Sequence, residues 1–192
     1  MRKLVYYVGV SLDGYIAGPG GEFDFFPESE AYTAWMADRF RDTIPTAFRT
    51  QVGLSADLPN TTFDTVVMGL GTYQPALDMG VTSPYAHLEQ YVVSTSLAEI
   101  DDPAVTLVRD PLSLVRELKQ RAGKDIWLAG GGKLAGALLP EIDQLVIKSY
   151  PVLAGAGVPV VNGDFQPTRF TPVERLSFDN GATVTWFDRN AT

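Results

Sequence analysis

The chain has 192 residues, of which 45% are hydrophobic and 20% charged, a composition typical of one globular domain with a sizeable core. Its net charge of −8 argues against nucleic acids and anionic membrane surfaces as partners. The absence of cysteine and the single histidine exclude zinc–thiolate sites, thiol nucleophiles and histidine cages, so no metal site is expected. A Ser-His-Asp triad could rest only on His87, which we expect on a surface loop.

The N-terminus is interpreted as a strand rather than as a targeting segment. Its apolar run is shorter than the hydrophobic region of a signal peptide, and Asp13 follows early. No apolar run in the sequence approaches the length that spans a bilayer. We therefore expect a cytoplasmic protein.

Apolar runs and end signals predict an alternation of strands and helices. Ser29 and Asp110 are typical N-cap residues, and Pro111 follows at the first helical position. Predicted strands cover 4–10, 64–69, 90–94, 105–108, 125–129 and 144–151. Predicted helices cover 29–42, a short segment after Gly69, 111–122, and the segment between Gly132 and Pro140.

The C-terminal region predicts a hairpin of strands 171–178 and 182–188. A three-residue loop with Gly181 in the left-handed conformation would pair Leu176 with Val184 and keep apolar residues opposite each other. The predicted fold is α/β in three layers: a mostly parallel central sheet closed by an antiparallel C-terminal hairpin, in a single domain over 1–192.

Three strand ends carry residues suited to an anionic ligand. Gly130, Gly131 and Gly132 let a backbone approach a phosphate, and Lys133 adds a positive charge at the start of the next helix. A tight turn without a ligand is the alternative. The other two strand ends are the turn after Gly69 and the three hydroxyls of Ser94, Thr95 and Ser96.

The segment after the first strand offers a loop and a carboxylate. The glycine-rich stretch 11–21 is suited to cover a ligand, although an ordinary connection is equally compatible with it. Asp24 lies between aromatic residues, where a raised pKa would let it hold a proton near neutral pH. The alternative is an exposed turn aspartate.

The order of these stretches resembles the dihydrofolate-reductase-like superfamily over nearly the whole chain. It is most similar to the C-terminal reductase domain of the riboflavin-biosynthesis deaminase-reductases and its single-domain relatives. The resemblance rests on the segments 11–17, 67–73, 94–96, 130–133 and 151–157. It implies the same fold and an NADPH-dependent reductase acting on a small pterin- or pyrimidine-like heterocycle.

The resemblance also assigns roles by position. The cofactor pyrophosphate would bind Gly130, Gly131, Gly132, Lys133 and Leu134. The adenosine half would lie against Gly69, Leu70, Thr72, Ser94, Thr95 and Ser96, and the nicotinamide against Gly9, Ile16 and Ala17. Asp24, at the start of the first helix, would face the substrate ring as a buried carboxylate, with Glu28 as the next candidate.

Two positions depart from the pattern of dihydrofolate reductases. Leu70 replaces the arginine that usually contacts the 2′-phosphate of NADPH, which leaves NADH as an alternative cofactor and Arg109 as a substitute cation. Ala135 replaces a tyrosine near the nicotinamide. Relatives of this kind are commonly homodimers, and a non-catalytic nucleotide-, pterin- or flavin-binding protein is the second hypothesis.

Overall fold

The computed structural model describes residues 1–55 and 57–190. From the sequence we expect a loop between Gly53 and Phe63, and Ala56 of that loop lies outside the described residues. Ten strands are described: β1 Leu4–Val10, β2 Tyr15–Ala17, β3 Phe63–Gly69, β4 Glu89–Val93, β5 Val105–Val108, β6 Asp125–Gly130, β7 Gln144–Ser149, β8 Val158–Pro159, β9 Phe170–Ser177 and β10 Thr183–Arg189. The described α-helices are α1 Glu30–Arg39, α2 Leu70–Asp78, α3 Pro111–Gln120 and α4 Gly132–Ala137.

Eight of the strands form one sheet in the order β5-β4-β3-β6-β1-β7-β10-β9. The strands from β5 to β7 run parallel, and β10 pairs antiparallel with both β7 and β9. The predicted mostly parallel sheet with an antiparallel C-terminal hairpin is therefore confirmed. The short strands β2 and β8, which the sequence analysis did not predict, form a separate pair.

Each face of the sheet carries its own core. Alternation along β1 sends Val5 and Tyr7 to one face, and Leu4, Tyr6 and Val8 to the other. The first core also takes in residues of α1 and α2, whereas the second takes in residues of α3 and α4. Helices thus cover both faces, which gives the three predicted layers.

The predicted helix starts of α1 and α3 are confirmed. The Ser29 hydroxyl accepts a hydrogen bond from the Tyr32 amide, and the Asp110 carboxylate accepts one from the Ser113 amide. Helix α1 is shorter than the predicted 29–42, because its last turn passes at Phe40 into a 3₁₀ turn over 41–43.

The predicted hairpin geometry is also confirmed. Val184 lies opposite Leu176, and the Phe178 amide donates to the Ala182 carbonyl over 2.9 Å. Gly181 has a φ of +80°, which only glycine adopts at low cost.

His87 is more buried than the sequence predicted. One ring nitrogen lies 2.9 Å from the Thr46 hydroxyl and the other lies 2.8 Å from the Asp42 carbonyl oxygen. Burial lowers the pKa of His87. Asp42 is fully buried and accepts hydrogen bonds from the amides of Thr61, Thr62 and Phe63. The histidine therefore helps to anchor a structural loop.

Over residues 1–55 and 57–190, every helix is too short or too polar to cross a lipid bilayer.

Candidate active site

The carboxyl ends of the parallel strands open onto one long cleft. Because β4, β3, β6, β1 and β7 are consecutive neighbours, residues at or next to the carboxyl ends of these strands form a single row. The row comprises Ser94, Gly69, Gly130, Gly9 and Lys148. Open α/β sheets bind ligands at this edge, so the cleft is the candidate site.

The cleft is large enough for a dinucleotide and a second molecule. Its volume is about 1670 Å³, beyond the roughly 300–1,000 Å³ of ordinary small-molecule pockets. Thirteen of the fourteen residues expected to bind cofactor line it. They are Gly9, Ile16, Ala17, Gly69, Leu70, Thr72, Ser94, Thr95, Ser96, Gly131, Gly132, Lys133 and Leu134. Gly130 is buried just behind them.

The glycine turn between β6 and α4 leaves free space at Gly131. A Cβ placed on Gly131 would point between Ile16 Cδ1, at 3.8 Å, and Thr72 Oγ1, at 3.9 Å, without a clash. Gly69 lies directly beside the turn, since its Cβ would be 3.5 Å from the Gly130 carbonyl oxygen. Two strand-to-helix junctions thus face the cleft side by side.

The first loop is held over the cleft by the β2–β8 pair and by the hydrogen bonds of Asp13. Asp13 accepts hydrogen bonds from the Ser11 hydroxyl at 2.6 Å and from the amides of Ala154 and Gly155 at 3.0 and 2.7 Å. These bonds lower the pKa of Asp13 to about 2. The carboxylate therefore ties loop 11–21 to loop 151–157 and positions Ile16 in the cleft.

Arg109 directly follows β5 and lines the cleft at the end away from β1 and β7. Its guanidinium donates to the backbone carbonyls of Ser94, Leu97 and Ala98, and no carboxylate of the described chain lies within ion-pair distance. The positive charge of Arg109 therefore lies next to the turn that carries the hydroxyls of residues 94–96.

The carboxylates occupy different positions from those expected. Asp24 lines the cleft, but its side chain is exposed and it lies six residues before α1. The expected burial of Asp24 at the helix start is therefore wrong, because the chain makes an additional turn before Ser29. Glu28 lies next to that N-cap and also lines the cleft.

Two departures noted in the sequence have distinct positions. Leu70 is partly buried at the start of α2 and lines the cleft. Ala135 is fully buried in the core beneath α4, and it faces away from the cleft. A larger side chain at this second position would meet the core rather than a ligand.

Sequence reasoning missed Lys148. It lines the cleft from β7, two residues before Tyr150, and burial lowers its pKa to about 8. The available signal was its position in an apolar strand. Lys148 lies on the same face of the sheet as Val146 and Tyr150, which both belong to the core.

A mostly parallel sheet with a row of glycine and hydroxyl turns along one cleft defines a ligand-binding α/β protein. The chain belongs to the RibD C-terminal domain family, whose model matches residues 2–184. Two uncharacterised proteins of Bacillus subtilis (strain 168) are similar in sequence. YwjB is 31% identical over 162 residues, covering 83% of this chain and 82% of that protein. YyaP is 26% identical over 193 residues, covering 94% and 91%.

Solved structures share the fold. A Shewanella sp. PV-4 protein provisionally assigned to riboflavin biosynthesis has a TM-score of 0.72 and 24% identity, with both chains covered completely. Acinetobacter baumannii RibD has a TM-score of 0.65 and 18% identity, over 99% of this chain and 58% of that one. A Thermotoga maritima diaminohydroxyphosphoribosylaminopyrimidine deaminase/5-amino-6-(5-phosphoribosylamino)uracil reductase has a TM-score of 0.64 and 16% identity, over 98% and 57%.

Proposed function

We propose that this protein is an NADPH-dependent reductase that transfers a hydride to a small pterin- or pyrimidine-like heterocycle. The reaction would be related to that of 5-amino-6-(5-phosphoribosylamino)uracil reductase. The observation that carries the proposal is the row of strand ends along one cleft, in a chain of the RibD C-terminal domain family. We further propose a single-domain, cytoplasmic homodimer that has a small-molecule substrate and binds no nucleic acid.

The residues along the cleft suit a dinucleotide laid across the sheet edge. The glycine turn 130–132, together with Lys133 and Leu134, would hold the pyrophosphate, because Gly131 leaves the space that a side chain would fill. The 94–96 turn, Gly69 and Thr72 would hold the adenosine half, and Gly9, Ile16 and Ala17 the nicotinamide. The bound cofactor would supply the hydride.

The protein's own contribution would be alignment and the exclusion of water. The first loop, tied down by Asp13, would press Ile16 towards the reacting ring. A carboxylate at the cleft mouth would hold the substrate in its electrophilic form, and Asp24 remains our candidate ahead of Glu28.

A calorimetric titration with NADPH and NADH tests the cofactor. We expect NADPH to bind more tightly, because Arg109 and the hydroxyls at 94–96 offer donors to a 2′-phosphate where Leu70 offers none. Arg109→Gln should weaken NADPH binding about tenfold or more and leave NADH binding unchanged. Arg109→Lys, which keeps the charge, should retain part of the preference.

If Arg109→Gln lowers the affinity for NADPH and NADH equally, Arg109 only stabilises the turn over 94–98 and does not bind the 2′-phosphate. Tighter NADH binding by the unaltered protein would mean that Leu70 has changed the cofactor preference. If neither cofactor binds, the reductase proposal fails.

Replacement of the site carboxylate is expected to affect turnover and not cofactor binding. Asp24→Asn should leave the NADPH affinity unchanged and slow NADPH oxidation by about 100-fold, because the negative charge that would hold the substrate in its electrophilic form is lost. The assay would use a panel of oxidised pterins and pyrimidines, with Glu28→Gln in parallel. A loss confined to Glu28→Gln would transfer the role to that residue.

The alternative function is a non-catalytic carrier or sensor of a nucleotide, pterin or flavin on the same fold. Leu70 favours it, since the residue offers no contact to the 2′-phosphate. Tight ligand binding without NADPH oxidation over the whole panel would support this alternative.

A further inference from the structure

The β1–β7 end of the cleft contains a lysine in an apolar setting. Lys148 lies in β7, opposite Gly9 of β1 on one side and opposite Val184 of β10 on the other. Its ammonium nitrogen lies 4.3 Å from the centroid of the Tyr7 ring and 4.0 Å from Met36 Sδ.

This ammonium has no close countercharge. Within the described chain, no carboxylate lies within 4.0 Å of Lys148, although Glu28 is near enough to favour its charged form. Burial outweighs Glu28 and brings the pKa of Lys148 to about 8, so most of the side chain is charged at pH 7. A cation that is partly buried in this way binds an oxyanion more strongly than a fully exposed lysine does.

The walls around Lys148 are flat and aromatic. The rings of Phe26 and Tyr150 stack with their centroids 4.5 Å apart. The backbone of Gly9 lies next to these rings. A Cβ atom added to Gly9 would be 3.0 Å from Tyr150 Cε2 and 3.8 Å from Lys148 Cε. A planar ring fits such a surface better than a branched aliphatic group does.

The other ionisable groups at this end leave the cationic role to Lys148. The hydroxyl groups of Tyr32 and Tyr150 form a hydrogen bond of 2.6 Å. Burial raises the pKa values of these two tyrosines and of Tyr7, so all three are neutral groups. Asp24 and Glu28 are exposed acids at the mouth. The other lysine and arginine among the lining residues, Lys133 and Arg109, follow β6 and β5.

We propose that Lys148 binds an oxo or carboxylate oxygen of a planar ring that lies against Phe26, Tyr150 and the Gly9 backbone. The ammonium would polarise that oxygen, while Asp24 and Glu28 would accept hydrogen bonds from amino or ring N–H groups at the mouth. In the proposed reductase this ring would be the hydride acceptor. The inference rests on the proposed function for that role alone.

A pair of probes matched in shape tests the oxygen site. We would measure 2-naphthoate and 2-naphthamide binding by fluorescence, because the two differ in charge but hardly in size. The unaltered protein should prefer naphthoate about tenfold or more at pH 7. Lys148→Met should abolish this preference, and Lys148→Arg should retain it. Lys124→Met, an exposed lysine beside the amino-terminal end of β6, is the matched control and should change nothing.

The pH dependence separates a binding role from a structural one. Lys148 is charged below its pKa and neutral above it, so naphthoate binding should weaken about tenfold between pH 7 and pH 9. Lys148→Arg should remove this dependence, because arginine stays charged. Glu28→Gln, at an exposed position, should strengthen naphthoate binding by removing a repulsive charge.

Three results would overturn the proposal: equal affinity of the unaltered protein for the two probes, a preserved preference in Lys148→Met, or an unchanged preference at pH 9. A parallel NADPH titration distinguishes this failure from that of the proposed function. NADPH affinity should stay unchanged in all Lys148 variants. Naphthoate selectivity in a protein that binds no NADPH would support the oxygen site and count against the reductase.

Discussion

Replacing Gly131 with valine is expected to abolish NADPH binding and leave the protein folded. The backbone at Gly131 is extended, with φ −93° and ψ −164°, so a β-branched residue is tolerated there. The new side chain would fill the space between Ile16 and Thr72 that the pyrophosphate would otherwise approach. Calorimetry should show a loss of affinity of at least about 100-fold, with a Tm change below about 3 °C.

Two control variants, one with a smaller side chain at the same position and one far from the cleft, test whether the loss of affinity is local to Gly131. Gly131→Ala should reduce the affinity less, because a single methyl group makes ordinary contacts at 3.8 and 3.9 Å. Ala104→Val, at an exposed position outside the cleft, should leave NADPH binding unchanged. An unaltered NADPH affinity in Gly131→Val would remove the phosphate role from this turn.

Replacing the next residue, Gly132, with alanine is expected to destabilise the fold. A Cβ at Gly132 would lie 2.0 Å from the Pro159 carbonyl oxygen, so a backbone segment would have to move. That segment is fixed on both sides: the Val160 amide donates to the Gly14 carbonyl, and the Asn162 amide donates to the Gly132 carbonyl. We expect a loss of about 2–4 kcal/mol in the free energy of unfolding.

Thermal unfolding measures this effect, with Gly131→Ala as the matched control one residue away. Gly132→Ala should lower Tm by about 5–15 °C, whereas the control should stay within about 3 °C of the unaltered protein. An equal Tm for the two variants would mean that segment 159–162 can shift away from α4 at little cost. The two neighbouring glycines would then not differ in packing.

Local chemistry made several elements predictable. Ser29 and Asp110 indicate helix starts because their side chains accept hydrogen bonds from amides only three residues away. The hairpin loop was predictable because Gly181 supplies the left-handed conformation and the strand pattern fixes the Leu176–Val184 pair. The buried parallel strands followed from short apolar runs between polar turns.

Other features depend on contacts between distant segments. The pair β2–β8 joins Tyr15 to Pro159, and neither strand has enough residues to give a periodic pattern. The exposure of Asp24 results from an irregular turn before α1, a segment that the hairpin loop holds through a hydrogen bond from the Asn180 side-chain amide to the Pro27 carbonyl. Helix α1 stops early because Phe40 turns into the core shared with Tyr7 and Trp186.

The fold class, the strand ends that carry glycines and hydroxyls, and the family resemblance could all be predicted from the sequence, because they follow from short motifs and from the order of those motifs along the chain. The tertiary structure alone decided that these strand ends form one row, since strand order depends on long-range pairing between β1, β3, β4 and β6. It also decided the chemistry of Lys148, because its lowered pKa arises from desolvation by the side chains packed around it after folding.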